Sequence, residues 1–161
     1  MSKRKLLFIA YSWVTVFAWV VVIFWFSSLE NLEVYSNDYS HLIERITYLL
    51  SYGFLLLTLF RALISTFRLT VDRLAYAKGK REKKEDKEFV IIVETLLLTN
   101  AILIACLLAV ANYHFLDGIE GRINDTYTFL ANIIGILISA LITYSWPVLN
   151  DIELKAFKLK D

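Results

Sequence analysis

A single cysteine, Cys106, stands in a chain of 161 residues. No intramolecular disulfide, CxxC redox pair or thiolate zinc cluster can be built from it. Histidine is nearly as scarce. His41 and His114 are the only two, and both fall between apolar runs, which argues against a bis-histidine haem held inside a helix bundle. One proline and five glycines leave no long flexible linker and no low-complexity tract. Net charge is missing too: seventeen Lys and Arg against sixteen Asp and Glu leave +1, so no polycationic surface for nucleic acid is expected. The chain carries no GxGxxG, Walker or HExxH motif, and no Ser, His and acid combination at one membrane face. Neither an enzyme nor a cofactor is expected.

What the chain has in excess is apolar surface. Hydrophobic residues make up 58% of it, above the roughly 45 to 50% of soluble domains. The excess is gathered into four runs, at 6–27, 46–67, 89–111 and 127–149. A helix of about 22 residues rises about 33 Å, enough to cross a bilayer. Runs of this length cannot leave backbone amides unpaired in lipid, so helices are required, and the alternation of an outer-membrane barrel is absent. The expected fold is all-α: a single polytopic membrane domain over 1–161, a bundle of four transmembrane helices with short loops. The basic N-terminal residues precede an apolar run without a small-residue cleavage site, which reads as a retained first span.

Charge sets the expected direction. Fourteen of the seventeen basic residues fall before span one, in the hairpin 68–88, or after span four, while the other two loops hold only Arg45 and Arg122. The positive-inside rule then places both termini and the charged hairpin in the cytoplasm, in a plasma or inner membrane. Within the hairpin, a helix continuing from span two to about Ala77, a break at Gly79 and a restart near Lys83 are expected. Tyr113, Tyr127, Trp25 and Trp146 fit interfacial aromatic belts. The outer loops gather His41, His114, Glu30, Glu33, Asp38, Glu44, Asp117, Glu120 and Asp125, but in no metal-binding spacing, so no metal site is assigned. Asn124-Asp125-Thr126 forms a sequon too close to span four to be more than a chance tripeptide.

Ionisable groups inside a span cost roughly 2.5 to 3.5 kcal/mol each, which singles out Arg61 and Glu94. They fall at equal depth on helices joined by a short hairpin, and an ion pair is expected between them. Around Arg61 runs a stripe at spacings of three and four: Glu44, Thr47, Ser51, Thr58, Arg61, Ser65, Arg68 and Asp72, with Phe54 filling its one gap. Such a stripe faces protein or water. As a pore lining it makes Thr47, Ser51, Thr58 and Ser65 the hydroxyl path, Phe54 a hydrophobic gate, and Arg61 with Glu94 a charged constriction. Asn132, Gly135 and Ser139 on span four, together with Asn100 and the ladder Ala101, Ala105 and Ala109 on span three, read as helix-packing groups. Span one, with Trp13, Phe17, Trp19, Phe24, Trp25 and Phe26 spread around it, is expected to be the most lipid-exposed, leaving spans two to four as the inner bundle.

Two functions fit these features, the first better than the second. One is a small oligomeric channel or transporter for small ions: span four carries a matching stripe, Thr128, Asn132, Gly135, Ser139 and Thr143, and one of the two stripes is expected to be shared with a neighbouring copy in a homo-oligomer. The potassium filter motif and a basic ladder on the fourth span are both missing, so neither a potassium pore nor a voltage sensor is expected. The other is an accessory subunit that binds membrane proteins. In topology alone, spans two to four resemble the membrane-protein insertases: a buried Arg on the second span, a charged hairpin, two further spans.

Overall fold

The computed structural model describes residues 3–28, 38–78, 85–117 and 126–145, with side chains described for 6–28, 42–67, 92–116 and 126–144. These residues form four helices, α1 (Lys3–Ser28), α2 (Asp38–Lys78), α3 (Glu85–Asp117) and α4 (Thr126–Ser145), with no strand among them. Each contains a stretch long and apolar enough to span a bilayer: Leu6–Ser28, Leu42–Phe67, Ile92–Leu116 and Thr126–Tyr144. The chain is therefore an all-α membrane protein of four spanning helices.

α2 runs 41 residues to Lys78, about 60 Å of helix, roughly twice the thickness of a hydrocarbon core. It therefore carries helical backbone into the charged hairpin, and α3 begins at Glu85; the expected break at Gly79 and restart near Lys83 lie outside the described residues. α4 is described to Ser145, and the expected continuation to 149 lies outside the described residues.

The helices run up, down, up, down. Arg61, late in α2, meets Phe8 and Tyr11, early in α1, while Phe24 of α1 stacks edge-on with Phe115 near the end of α3. Arg45 lies over the ring of Tyr127, so α2 and α4 start at the same end of the bundle. α2 is the hub and packs against all three other helices. Its inward face is a clean helical repeat, Tyr48, Tyr52, Leu55, Leu59 and Ala62, all buried. The alanines of α3 and Ile136 of α4 complete the core.

α1 does not stand at the periphery as its aromatic bulk suggests. Val16 and Ile23 are buried, and Trp13, Trp19 and Phe26 pack on the core. α3 is the more open helix, with Leu96, Leu103 and Leu107 exposed. The reason is shape. Large rings reach across a gap to α2, whereas the alanine ladder of α3 brings only one narrow side of that helix into contact.

The tightest seam lies between α2 and α4, where Gly53 and Gly135 face each other. A Cβ on Gly135 would sit 2.9 Å from the Leu49 carbonyl carbon and 3.1 Å from its Cα, besides striking the Leu49 carbonyl oxygen. Backbone cannot swing aside as a side-chain tip can. A Cβ on Gly53 would instead meet the Ser139 hydroxyl at 2.7 Å, with the Gly135 carbonyl oxygen at an ordinary 3.4 Å.

The two glycines are thus expected to respond differently. Gly135→Ala separates α2 from α4 and costs about 1 to 3 kcal/mol or more. Gly53→Ala also destabilises, but Ser139→Ala in the same chain removes the clash and restores most of the loss, while it rescues Gly135→Ala not at all. Thermal unfolding in a mild detergent measures both.

Candidate functional site

The polar stripe of α2 lies beside the buried face, on the flank that α1 covers. Trp19 donates its indole N–H to the Ser51 carbonyl oxygen at 2.6 Å. The same ring stands edge-on to Phe54, with centroids 5.8 Å apart. Deeper along the pair, the Arg61 guanidinium carbon sits 5.5 Å from the Phe8 ring centroid and 5.4 Å from that of Tyr11. Trp13 donates to the Thr66 hydroxyl at 3.0 Å. The aromatic side chains of α1 therefore form a cover over the stripe, and the cation is partly desolvated between two ring faces.

Three hydroxyls of the stripe turn back on their own helix. Thr47 donates to Ile43 O at 2.8 Å and Thr58 to Phe54 O at 3.0 Å. Ser65, which is buried, donates to Ala62 O at 2.9 Å. This back-bonding satisfies each hydroxyl without water or a neighbouring helix. Phe54 is 52% exposed and stands edge-on to Trp19. The interstice lined by Val20, Ile23, Phe24, Tyr52, Leu55 and Leu108 has no room for a water molecule. Glu94 is half-buried on α3, the helix that follows the hairpin.

A second polar group lies toward the opposite end of the bundle and was not singled out from the sequence. Ser27 and Tyr48, both buried, share a hydrogen bond of 2.9 Å between their oxygens. One turn further, the Tyr52 hydroxyl donates to Leu108 O at 3.3 Å. Asn112 is fully buried next to Tyr52, yet neither of its amide atoms meets hydrogen-bond geometry. Asn132 of α4 is also buried, with its carbonyl oxygen unbonded. The signal was present in the chain: Tyr48 and Tyr52 are one turn apart and continue into Leu55, Leu59 and Ala62, so they belong to the inward face.

The groups read as packing residues separate in space. Asn132, Gly135 and Ser139 are buried on α4, and Ala101, Ala105 and Ala109 are buried on α3. Asn100 is not beside them; it is exposed, with Thr95 and Thr99. Its amide donates to Leu96 O of its own helix at 2.9 Å. Among the described residues, no group of three or more His, Cys, Asp or Glu is placed to hold a metal. The side chains of His41, Arg68 and Asp72, and the loop residues Glu30, Glu33, Glu120, Asn124 and Asp125, lie outside the described residues, as does Trp146.

The aromatic cover makes a measurable claim. In a double-mutant cycle of Arg61→Met with Tyr11→Leu, thermal unfolding in lipid nanodiscs is expected to give a coupling of about 0.5 to 2 kcal/mol. A coupling of zero means that the ring contributes only apolar area.

Against this geometry, no protein-family model, no curated protein and no solved structure matches the chain.

Proposed function

We propose that this protein is a non-catalytic membrane-embedded assembly subunit that docks transmembrane helices on the open side of α3. The observation that carries this reading is Asn100. It lies exposed about 12 Å along the span Ile92–Leu116, at 1.5 Å per residue, on a helix side otherwise lined by Leu96, Leu103 and Leu107. Lipid chains offer no hydrogen bond, so an outward amide at this depth has value only when another helix answers it. The back-bonding of Thr47, Thr58 and Ser65 supports the same reading, because these hydroxyls call for neither water nor a neighbouring helix.

A channel for small ions is the second reading. What favours it is the run of Thr47, Ser51 and Thr58 at the half-buried edge of α2, with Arg61 and Glu94 available as a charged constriction. With no water-wide space in the interstice of the bundle, the path on this reading runs between protomers.

Planar bilayers separate the two. Wild-type protein, Phe54→Ala and Glu94→Gln are all expected to match protein-free membranes. A stable conductance in the wild type that either substitution changes overturns the assembly reading in favour of the channel.

A further inference from the structure

The open side of α3 is a helical repeat. Leu96, Asn100, Leu103, Leu107 and Val110 follow one another at spacings of four, three, four and three, and all are exposed. They lie diametrically opposite Ala101, Ala105 and Ala109, which are fully buried against the rest of the bundle. This is the pattern of a helix with two contact faces: a small-residue face already occupied, and a leucine face built on a coiled-coil spacing with one polar position. Isolated leucines facing lipid carry no information, because lipid tails are as apolar as leucine. Asn100 does. Its side chain gives one N–H to Leu96 O, and among the described residues its second N–H and its carbonyl oxygen have no partner.

We infer that the helix docking on this face is α3 of a second copy of the chain, with Asn100 paired to Asn100 across a two-fold axis normal to the membrane. The inference rests on the assembly reading above and names its partner. Two properties select a second copy over an unrelated helix. First, a carboxamide is donor and acceptor at once, so the same residue on the other side of a two-fold axis completes both bonds, N–H to O=C in each direction. Second, the fourteen-to-two division of basic residues between the two sides favours one direction of insertion for every copy. A self-paired α3 is then parallel, and each residue meets its counterpart at equal depth, which sets amide against amide and Leu103 against Leu103. A different helix would need its own polar group at the matching depth and azimuth. One polar position among leucines also fixes register, since sliding or rotating either helix leaves two amides in hydrocarbon.

The test places a nitroxide at position 103 by Leu103→Cys in a Cys106→Ala background. Val14→Cys on α1 and Leu141→Cys on α4 serve as exposed controls, and all three are read in native membrane vesicles from cells expressing the chain. At position 103 we expect low collision with dissolved oxygen, together with spin–spin broadening that disappears when labelled protein is diluted with unlabelled protein. Positions 14 and 141 should collide freely and show no broadening. Asn100→Leu lies outside the protomer core and should leave its thermal unfolding unchanged while weakening self-association roughly tenfold. Low oxygen collision without broadening would mean that another protein's helix covers the face, which overturns self-pairing and leaves the assembly reading standing. Free collision at 103, equal to that at 14 and 141, would overturn both. Broadening that Asn100→Leu does not reduce would overturn the role given to the amide.

Discussion

Every hydrogen-bonding group placed in hydrocarbon must find its partner inside the protein, and the arrangement of this chain follows from how each one does. The backbone solves the problem by becoming helical along four spans. Threonine and serine hydroxyls solve it locally: Thr47, Thr58 and Ser65 each bond to a carbonyl a turn back on α2. The indoles cannot bond their own helix in this way, because the N–H stands at the far side of a large ring. Trp19 and Trp13 therefore reach across to Ser51 O and Thr66, and in doing so they fasten α1 to α2.

That fastening changes the meaning of the polar stripe. Hydroxyls recurring at each turn look like a hydrated lining when only one helix is considered. With α1 in place, Trp19 lies against Ser51 O and the Phe54 ring, and Arg61 is held between the rings of Phe8 and Tyr11. Cation and ring pairs are stronger where water is excluded, so a residue expensive to bury becomes a link between two helices. On the opposite flank the logic is steric. Gly53 and Gly135 let α2 and α4 approach until backbone touches backbone, and the gain comes from many close dispersion contacts rather than from any polar bond.

Against this background of satisfied groups, two kinds of exception stand out, and they differ physically. Asn112 is fully buried with both amide atoms outside hydrogen-bond geometry, in tight packing beside Tyr52; its cost is internal and is borne by the fold. Asn100 is instead exposed on the open side of α3. An exposed amide is relieved by association, which is why it directs attention to a partner while Asn112 does not.

Much of this was legible in the residues themselves. The four spans, their helical nature, the helical continuation of α2 into the hairpin and the special standing of Arg61 follow from chain-local quantities: run length, hydropathy, spacing and charge. These act through the bilayer, which imposes the same requirement on any segment of that composition. The azimuth of each helix was not legible. A stripe defines a face without naming what lies against it, so the cover of Trp19, Tyr11 and Phe8 over the α2 stripe, the inward position of α1 and the outward turn of Asn100 emerge only when four helices are packed together. Tyr48 and Tyr52 show the same limit from the other side. Their repeat marks an inward face as clearly as the hydroxyl stripe marks its own, and the two faces are adjacent on one helix. Periodicity alone ranks neither above the other. The choice is made by volume, because the tyrosines and leucines fill the space between α1, α3 and α4 that threonine and serine would leave empty.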